Sequence, residues 1–381
     1  MIRSTVAHVH LDAVTHNYQR LCRLVAASRS GSAPGVPADP KVVCVVKANA
    51  YGHGAPAVAA ALERAGASMF AVADIEAGVV LRESGITAPI LVFGALSVSD
   101  LDWLFEHHLT PTISTPSAAR AVEAAAARRG VQIDAHLKVD TGMNRLGFRH
   151  DNLRRTMPEV LAMSHVRLVA VYTHFATADR PESPMFDEQR RRFEAATAAL
   201  GSLGLRGLWR HAANSAATVR DARTWYDAVR PGLLLYGIVP PPLAAADLDL
   251  RPALSLTSRI VAVKGVRPGE GVGYGLQWDD NRPRTVAIVP AGYADGVATR
   301  LGGRGVVLIR GQRRAIVGSV CMDMMLVDVT GVDVAPGDEV VLIGSQGDDV
   351  LTAREIASTI GTIPWEVICR LGSRIQRLTK M

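Results

Sequence analysis

The sequence predicts a (β/α)8 TIM barrel followed by a C-terminal, mainly β domain. Two observations carry this: eight short apolar runs alternate with helix-favouring stretches over residues 42–235, and from about residue 252 β-like runs follow one another with no long helix between them. A chain of 381 residues also exceeds a usual single domain, so one large domain and one smaller is the natural division. The boundaries read from the pattern are 1–245 and 246–381.

In chain order, Thr5 to Leu11 alternates like a strand but precedes the barrel. Pattern alone does not place it, and packing against the C-terminal domain is one option. Residues 12–28 read as a helix, with Asp12 as candidate N-cap and Val14, Tyr18, Leu21 and Val25 on one face. Ser28 to Gly35 is a loop by composition. The eight apolar runs are 42–46, 69–73, 89–93, 109–113, 133–139, 166–172, 205–210 and 228–235. They are continuous rather than alternating, as expected of parallel strands buried on both faces. Pro240-Pro241-Pro242 then reads as a linker. Beyond it come β-like runs at 258–266, 284–290, 305–310, 314–320, 324–329 and 338–343, separated by Gly and Pro turns as in an antiparallel domain. A helix near 352–360 and a strand near 374–379 close the chain.

Hydrophobic residues make up 48% and charged residues 20%, an ordinary globular balance. The net charge of +6 comes from Lys and Arg interspersed with Asp and Glu. Even Arg190-Arg191-Arg192 sits between Glu188 and Glu194 and reads as a solvated helix face. Without a basic stripe bearing aromatics, no nucleic acid is expected as partner; the surplus suits a small anionic ligand. The four cysteines show neither CxxC pairing nor histidines at metal spacing, so no disulfide framework and no metal are expected. The start lacks the apolar core of a signal peptide and no run is long enough to span a bilayer, which predicts a soluble, cytoplasmic protein without a membrane partner.

Barrel enzymes build their sites at the C-terminal ends of the strands, often with a phosphate on the loops after strands seven and eight. Here five such ends carry Lys47, Lys138 and Arg145, His174, Asn214-Ser215, and Arg230-Pro231-Gly232. Singly, each has an ordinary explanation: a solvated lysine, a satisfied core histidine, half an ion pair, turn chemistry. Their convergence on one mouth argues otherwise. A lysine desolvated behind an apolar run has a lowered pKa and can form a Schiff base with an aldehyde.

The segments VVKANAYGHG (45–54), LKVDTGMNRLGF (137–148), YTHFATAD (172–179), HAANSAA (211–217), RPGLLLYG (230–237), VGYG (272–275), AGYADG (291–296) and GSVCMDMMLVD (318–328) resemble, in order, those of the alanine racemase family. The resemblance covers nearly the whole chain. It implies a homodimer that interconverts L- and D-alanine on pyridoxal 5'-phosphate and supplies D-alanine for peptidoglycan. Lys47 would hold the cofactor as an imine and act as base on one face. The partner subunit's Tyr274 would act on the other. Tyr51, Asn214, Ser215, Gly232 and Leu233 match phosphate binders. Arg145 matches a residue contacting the cofactor's phenolic oxygen and the substrate carboxylate, and His174 one that bridges the catalytic tyrosine and Arg230. Lys138 matches a position often carbamylated, and Tyr293 and Met322 match residues that narrow the substrate pocket. Two positions depart from the family pattern: Ser373 stands where many members have a phosphate-contacting tyrosine, and Asn144 where glycine is common.

Two bases on opposite faces are the simplest machinery for racemisation, and Arg230 is the discriminating residue. Electron-sink enzymes place a carboxylate at the pyridine nitrogen; arginine, which has no acceptor, would leave that nitrogen unprotonated. A racemase of serine, lysine or arginine, or a barrel-type decarboxylase on the same cofactor, stays open as an alternative. A non-catalytic pyridoxal-phosphate binder would need neither Tyr274 nor the second domain.

Overall fold

The computed structural model describes residues 4–27, 40–96, 100–278 and 281–380; the loop read at Ser28 to Gly35 and the first three residues lie outside these. The chain divides into two compact units, one of Ala13–Ala50 and Ala55–Arg251, the other of Met1–Asp12, Tyr51–Gly54 and Pro252–Met381. Its first strand, β1 (Val6–His10), joins the second unit's sheet, and the helix Leu11–Ala27 follows directly.

The first unit is closed by alternate amides of one short run. β2 (Lys41–Val42) and β3 (Cys44–Val45) are separated by Val43 alone. Val43 N donates to Val229 O at 2.9 Å and Val45 N to Pro231 O at 3.1 Å, whereas Cys44 N donates to Met69 O at 2.9 Å and Val46 N to Ala71 O at 3.0 Å. Successive strand amides point to opposite edges, so this run bonds the last strand on one side and the next strand on the other. The remaining strands are β4 (Phe70–Val72), β5 (Ile90–Val92), β6 (Thr110–Ile113), β7 (Ile133–Asp140) with the short β8 (Phe148–Arg149) beside it, β9 (Val166–Tyr172), β10 (Trp209–His211) and β11 (Ala228–Val229). All pairings are parallel, in the order β2-β11-β10-β9-β7-β6-β5-β4-β3. This is the (β/α)8 barrel that the alternation predicts.

Local chemistry starts the helices between strands. Asp74 Oδ1 accepts from Ala77 N at 2.8 Å, and Thr115 Oγ1 accepts from Ala118 N at 3.1 Å ahead of Pro116 at the first turn. The last strand is followed by a 3-10 turn, Leu233–Tyr236. The helix Leu11–Ala27 is held beside that turn: Asn17 Nδ2 donates to Leu235 O at 3.0 Å and Arg251 O at 2.8 Å, and Asn17 Oδ1 accepts from Arg251 N at 2.8 Å.

The second unit is a sheet in the order β13-β14-β17-β16-β15-β18-β12-β1-β20, with β19 paired to β18. Its strands are β12 (Leu254–Arg259), β13 (Ala262–Val266), β14 (Arg284–Val289), β15 (Val306–Ile309), β16 (Gln312–Val317), β17 (Met325–Asp328), β18 (Glu339–Gln346), β19 (Asp349–Leu351) and β20 (Gln376–Lys380). Pairings are antiparallel except β1 with β20. Leu256, Val289, Leu308, Val327, Val341 and Ile356 lie in one buried cluster.

Differences from the sequence reading have local causes. The seventh run strands at Trp209–His211 rather than 205–210, because Gly204 and Gly207 turn the chain at φ 97° and 71°. The eighth keeps only two strand residues, since Pro231 has no amide to continue the ladder. The 258–266 run splits into β12 and β13. The segment after the proline run is tied down rather than loose, with Arg20 donating to Leu248 O at 2.9 Å and Asp247 O at 3.0 Å. A helix at Pro364–Cys369, which opens on a proline, was not anticipated.

Asn17 is fully buried, so Asn17→Ala would remove the side-chain bonds to two carbonyls, Leu235 O and Arg251 O, and to the Arg251 amide. Denaturant unfolding should show a loss of about 2–4 kcal/mol; a change under about 0.5 kcal/mol, the scale of a surface substitution, would contradict the role given to this anchor.

Candidate active site

Two residues after β3 a strained turn opens at Lys47. Lys47 is half-buried, and Ala48, Asn49, Ala50 and Tyr51 all sit at left-handed φ of 52°, 53°, 54° and 53°. Such backbone costs an L residue roughly 1–2 kcal/mol, so it must be held. Ala50 N donates to Val46 O at 2.9 Å, and Asn49 Oδ1 accepts from Ala55 N at 2.7 Å. The strain fixes where the chain turns immediately after Lys47, a pattern associated with functional sites.

Inside the barrel the central object is the ring of Tyr172, at the end of β9 and 1% exposed. His211 stacks on it with centroids 4.8 Å apart, Arg230 lies 5.2 Å from its centroid and Lys138 Nζ 5.6 Å, while its hydroxyl shares a 3.0 Å bond with Thr112. Arg230 is 3% exposed. Its Nη1 bonds His211 Nδ1 at 3.0 Å; its Nη2 bonds Thr173 O at 2.7 Å, Ala212 O at 3.1 Å and His174 Nδ1 at 3.4 Å. All four acceptors are neutral. Burial pulls the guanidinium down to about 10, which leaves it charged at neutral pH.

Arginine only donates, so these bonds fix tautomers. His211 must accept at Nδ1 and carry its proton on Nε2, which lies 3.0 Å from His136 Nδ1. The chain Arg230→His211→His136 therefore runs one way. Burial, then the nearby Arg230 charge, holds His136 down to about 4 and His211 well below the usual histidine range.

Lys138, two residues after His136 on β7, is 6% exposed, and burial followed by the charges of Arg145 and Arg230 lowers its amine to about 8. Lys138, Arg145 and His174 line one narrow crevice. Burial and the charges of Arg230, Lys138, Lys47 and Arg145 drive His174 well below its ordinary value. Four basic side chains thus act on one imidazole, which gives this mouth a positive potential.

The exposed Arg145 rides on a loop shaped by Asp140, whose Oδ1 accepts from the amides of Gly142, Met143 and Asn144 at 2.9, 3.0 and 3.1 Å. Asn144 sits at φ 54°, which explains the departure from glycine, because asparagine tolerates left-handed backbone better than other side chains. Fully buried Gln189 joins this loop to the end of β9: its Nε2 donates to Thr141 Oγ1 at 3.1 Å and His174 O at 3.0 Å, and its Oε1 accepts from Ala176 N at 2.8 Å.

After strands β10 and β11, Ser215 Oγ accepts from Gly232 N at 2.9 Å, and Leu233 opens the 3-10 turn. The donor set of a hydroxyl and loop amides, where barrels bind phosphate, fits a phosphate ester. Asn214 caps the helix Ser215–Arg220, its Oδ1 accepting from Ala217 N at 3.0 Å.

The remaining candidates belong to the second unit. Tyr51 has its phenol pushed up by burial. Tyr274 is 76% exposed on a turn flanked by Gly273 and Gly275 at φ 72° and 76°, with Ser319 Oγ bonded to its carbonyl at 2.9 Å. Tyr293 and Met322 are 45% and 52% exposed, and Ser373 is exposed.

Sequence reasoning missed His136, His211 and Gln189. For His136 a signal existed, since the i, i+2 spacing to Lys138 puts both on one face of a strand. His211 stood inside a quoted motif without a role. Among the described residues no cluster of three or more His, Cys, Asp or Glu is poised to hold a metal, and no helix is long and apolar enough to cross a membrane.

The models for the alanine racemase N-terminal and C-terminal domains match residues 9–240 and 253–379. The alanine racemase of Carboxydothermus hydrogenoformans is 40% identical over 379 residues, covering 99% of this chain and all of that protein. That of Symbiobacterium thermophilum is 40% identical over 377 residues, covering 99% and 97%. Among solved structures, the alanine racemase of D-cycloserine-producing Streptomyces lavendulae aligns at TM-score 0.92 and 34% identity, covering 100% of this chain and 98% of that one. The Bacillus anthracis alanine racemase with bound L-Ala-P aligns at 0.90 and 34%, covering 100% and 96%.

The histidine chain predicts an acid sensitivity. His136 and His211 are neutral in the folded protein where the unfolded chain protonates them, below about 6.5. The unfolded chain then binds more protons, so this stability is complete above about pH 6.5 and is lost as pH falls toward 4. Each histidine contributes a slope of up to about 1.4 kcal/mol per pH unit. His136→Gln keeps an acceptor for His211 but does not titrate; its stability should fall less between pH 7 and pH 5 than that of the wild type. Equal losses in the two proteins would contradict the neutral chain.

Proposed function

Because the chain belongs to the alanine racemase family, whose members are pyridoxal-phosphate-dependent isomerases, we propose that it interconverts L- and D-alanine as a homodimer, with Lys47 and the partner subunit's Tyr274 as its two bases. Pyridoxal 5'-phosphate, when bound, acidifies the α-hydrogen of an amino acid by drawing charge into its ring. The residues that would hold it are Lys47 at the aldehyde, Ser215, Gly232, Leu233, Asn214 and Tyr51 at the phosphate, Arg145 at the phenolic oxygen and Arg230 at the ring nitrogen.

The observation that carries this reading is the environment of Arg230: a guanidinium 3% exposed whose acceptors are histidines and carbonyls. Toward a ring nitrogen it would offer only N–H groups and could not usefully protonate it, so the electron sink would be weak and return of an α-proton would be favoured. A decarboxylase would be favoured by a carboxylate here.

The Lys47 amine takes or returns the proton on one side, and the partner subunit's Tyr274 hydroxyl does so on the other. Exposure of Tyr274 on a glycine-flanked turn supports its delivery across a subunit boundary. Arg145 orients the substrate carboxylate, and His174 bridges Arg230 to the catalytic hydroxyl. Lys138, whose burial favours the uncharged amine, can add carbon dioxide: a nitrogen–carbon bond forms, a proton leaves to solvent, and the resulting anion pairs with Arg145. The proposal places the enzyme in the cytoplasm, supplying D-alanine for peptidoglycan.

Purified protein given L-alanine should produce D-alanine in a chiral assay, faster with added cofactor; carbon dioxide without D-alanine would overturn the reading. Tyr274→Phe should lower turnover by roughly 10²–10⁴-fold, the usual contribution of one acid–base group, and Lys47→Ala should abolish it. Mixing the two inactive variants should restore activity in hybrid dimers; hybrids shown to form yet inactive would refute shared sites.

A further inference from the structure

Tyr293 and Met322 lie on two different loops, which bond each other directly and are also joined through a third segment. Tyr293 N donates to Cys321 O at 2.9 Å and Ala294 N to Met322 O at 3.1 Å, so the 292–296 loop lies against the 321–323 loop. The approach is close enough to require glycine: a Cβ at Gly292 would stand 2.3 Å from Met322 O, and one at Gly372 2.5 Å from Ala294 O. Arg374 then spans both loops. Its Nε and Nη2 donate to Asp295 Oδ1 and Oδ2 at 2.8 and 3.1 Å, its Nη1 to Asp323 Oδ1 at 2.7 Å, and its Nη2 also to Met322 O at 3.2 Å. Asp295 is fully buried and its Oδ2 also accepts from Gly292 N at 2.9 Å.

We propose that Arg374 is a positioning residue that fixes the gap between Tyr293 and Met322 and so limits the substrate to a small side chain. Its planar fork binds a buried carboxylate in two places while its other edge holds the Met322 loop. Asp295 and Asp323 stand on different loops, so the guanidinium that bonds both ties those loops through one side chain. The inference rests on the reading of Tyr293 and Met322 as walls of an alanine pocket. A merely structural arginine would stabilise the sheet end without altering which amino acid is preferred.

The test uses Arg374→Lys, which keeps charge but loses the fork, and Arg374→Ala, with two readouts. Amide hydrogen exchange of the protein as purified, without substrate, should speed up by roughly tenfold or more over 291–296 and 320–324 in both variants. In steady-state assays the ratio of kcat/KM for serine to that for alanine should rise by about tenfold, the scale on which a pocket discriminates by one small group, mainly through a raised KM for alanine. If Arg374→Ala does not fold, Arg374→Lys carries both readouts. Unchanged exchange overturns the staple whatever the activity. Loosened loops with an unchanged serine-to-alanine ratio overturn its part in selectivity. A wild type that does not racemise alanine overturns the pocket reading itself, and the exchange result then separates that failure from failure of the staple.

Discussion

One buried positive charge organises the barrel interior. Arg230 is almost fully removed from water, yet every acceptor it reaches is neutral. A buried ion without a counter-charge is tolerated only when its donors are used and nearby dipoles take up the field. Here two carbonyls at the ends of neighbouring strands, two imidazoles and the face of Tyr172 do so. The same arrangement forbids protonation of His211, because a second cation bonded to the first would add repulsion to desolvation. The one-way tautomer chain to His136 is therefore a consequence of Arg230, and neither of these two histidines contributes a mobile proton at neutral pH.

That constraint divides labour. The barrel supplies fixed positive charge and donors from Arg145 and Arg230, while its buried histidines stay neutral. Groups that move protons in the proposed reaction stand at the edge: Lys47 before a strained left-handed turn, and Tyr274 on an exposed glycine-flanked one. Strain serves position in both loops nearest the chemistry, since Asn144 and the Ala48–Tyr51 turn hold conformations that ordinary loops avoid.

Much of this was legible in the sequence, for physical reasons. Parallel strands buried on both faces write themselves as continuous apolar runs, so the barrel and the order of its strands could be read, and with them the strand ends that carry Lys47, Arg145, His174, Ser215 and Arg230. Backbone events were harder to read. Nothing in Ala48-Asn49-Ala50-Tyr51 announces four left-handed residues, and nothing around Leu233 announces a 3-10 turn in place of strand. Gln189 lies on a helix whose pattern is that of any amphipathic surface helix, and only the third dimension brings its amide to Thr141 and His174. Arg374 lay in the segment noted for its departure at Ser373, where attention to the missing tyrosine hid the residue that ties two loops together.

The excess of positive charge also bears on what the site can hold. Burial first, then the neighbouring guanidinium groups of Arg145 and Arg230, lowers the Lys138 amine to about 8 and makes its proton easier to lose. Converting that amine to an anion goes further, placing a negative charge beside Arg145. In the proposed reading the remaining cations would meet the negative charge of a phosphate and of an amino-acid carboxylate. On that reading, selection for an anionic cofactor and for an amino-acid carboxylate would share one electrostatic origin.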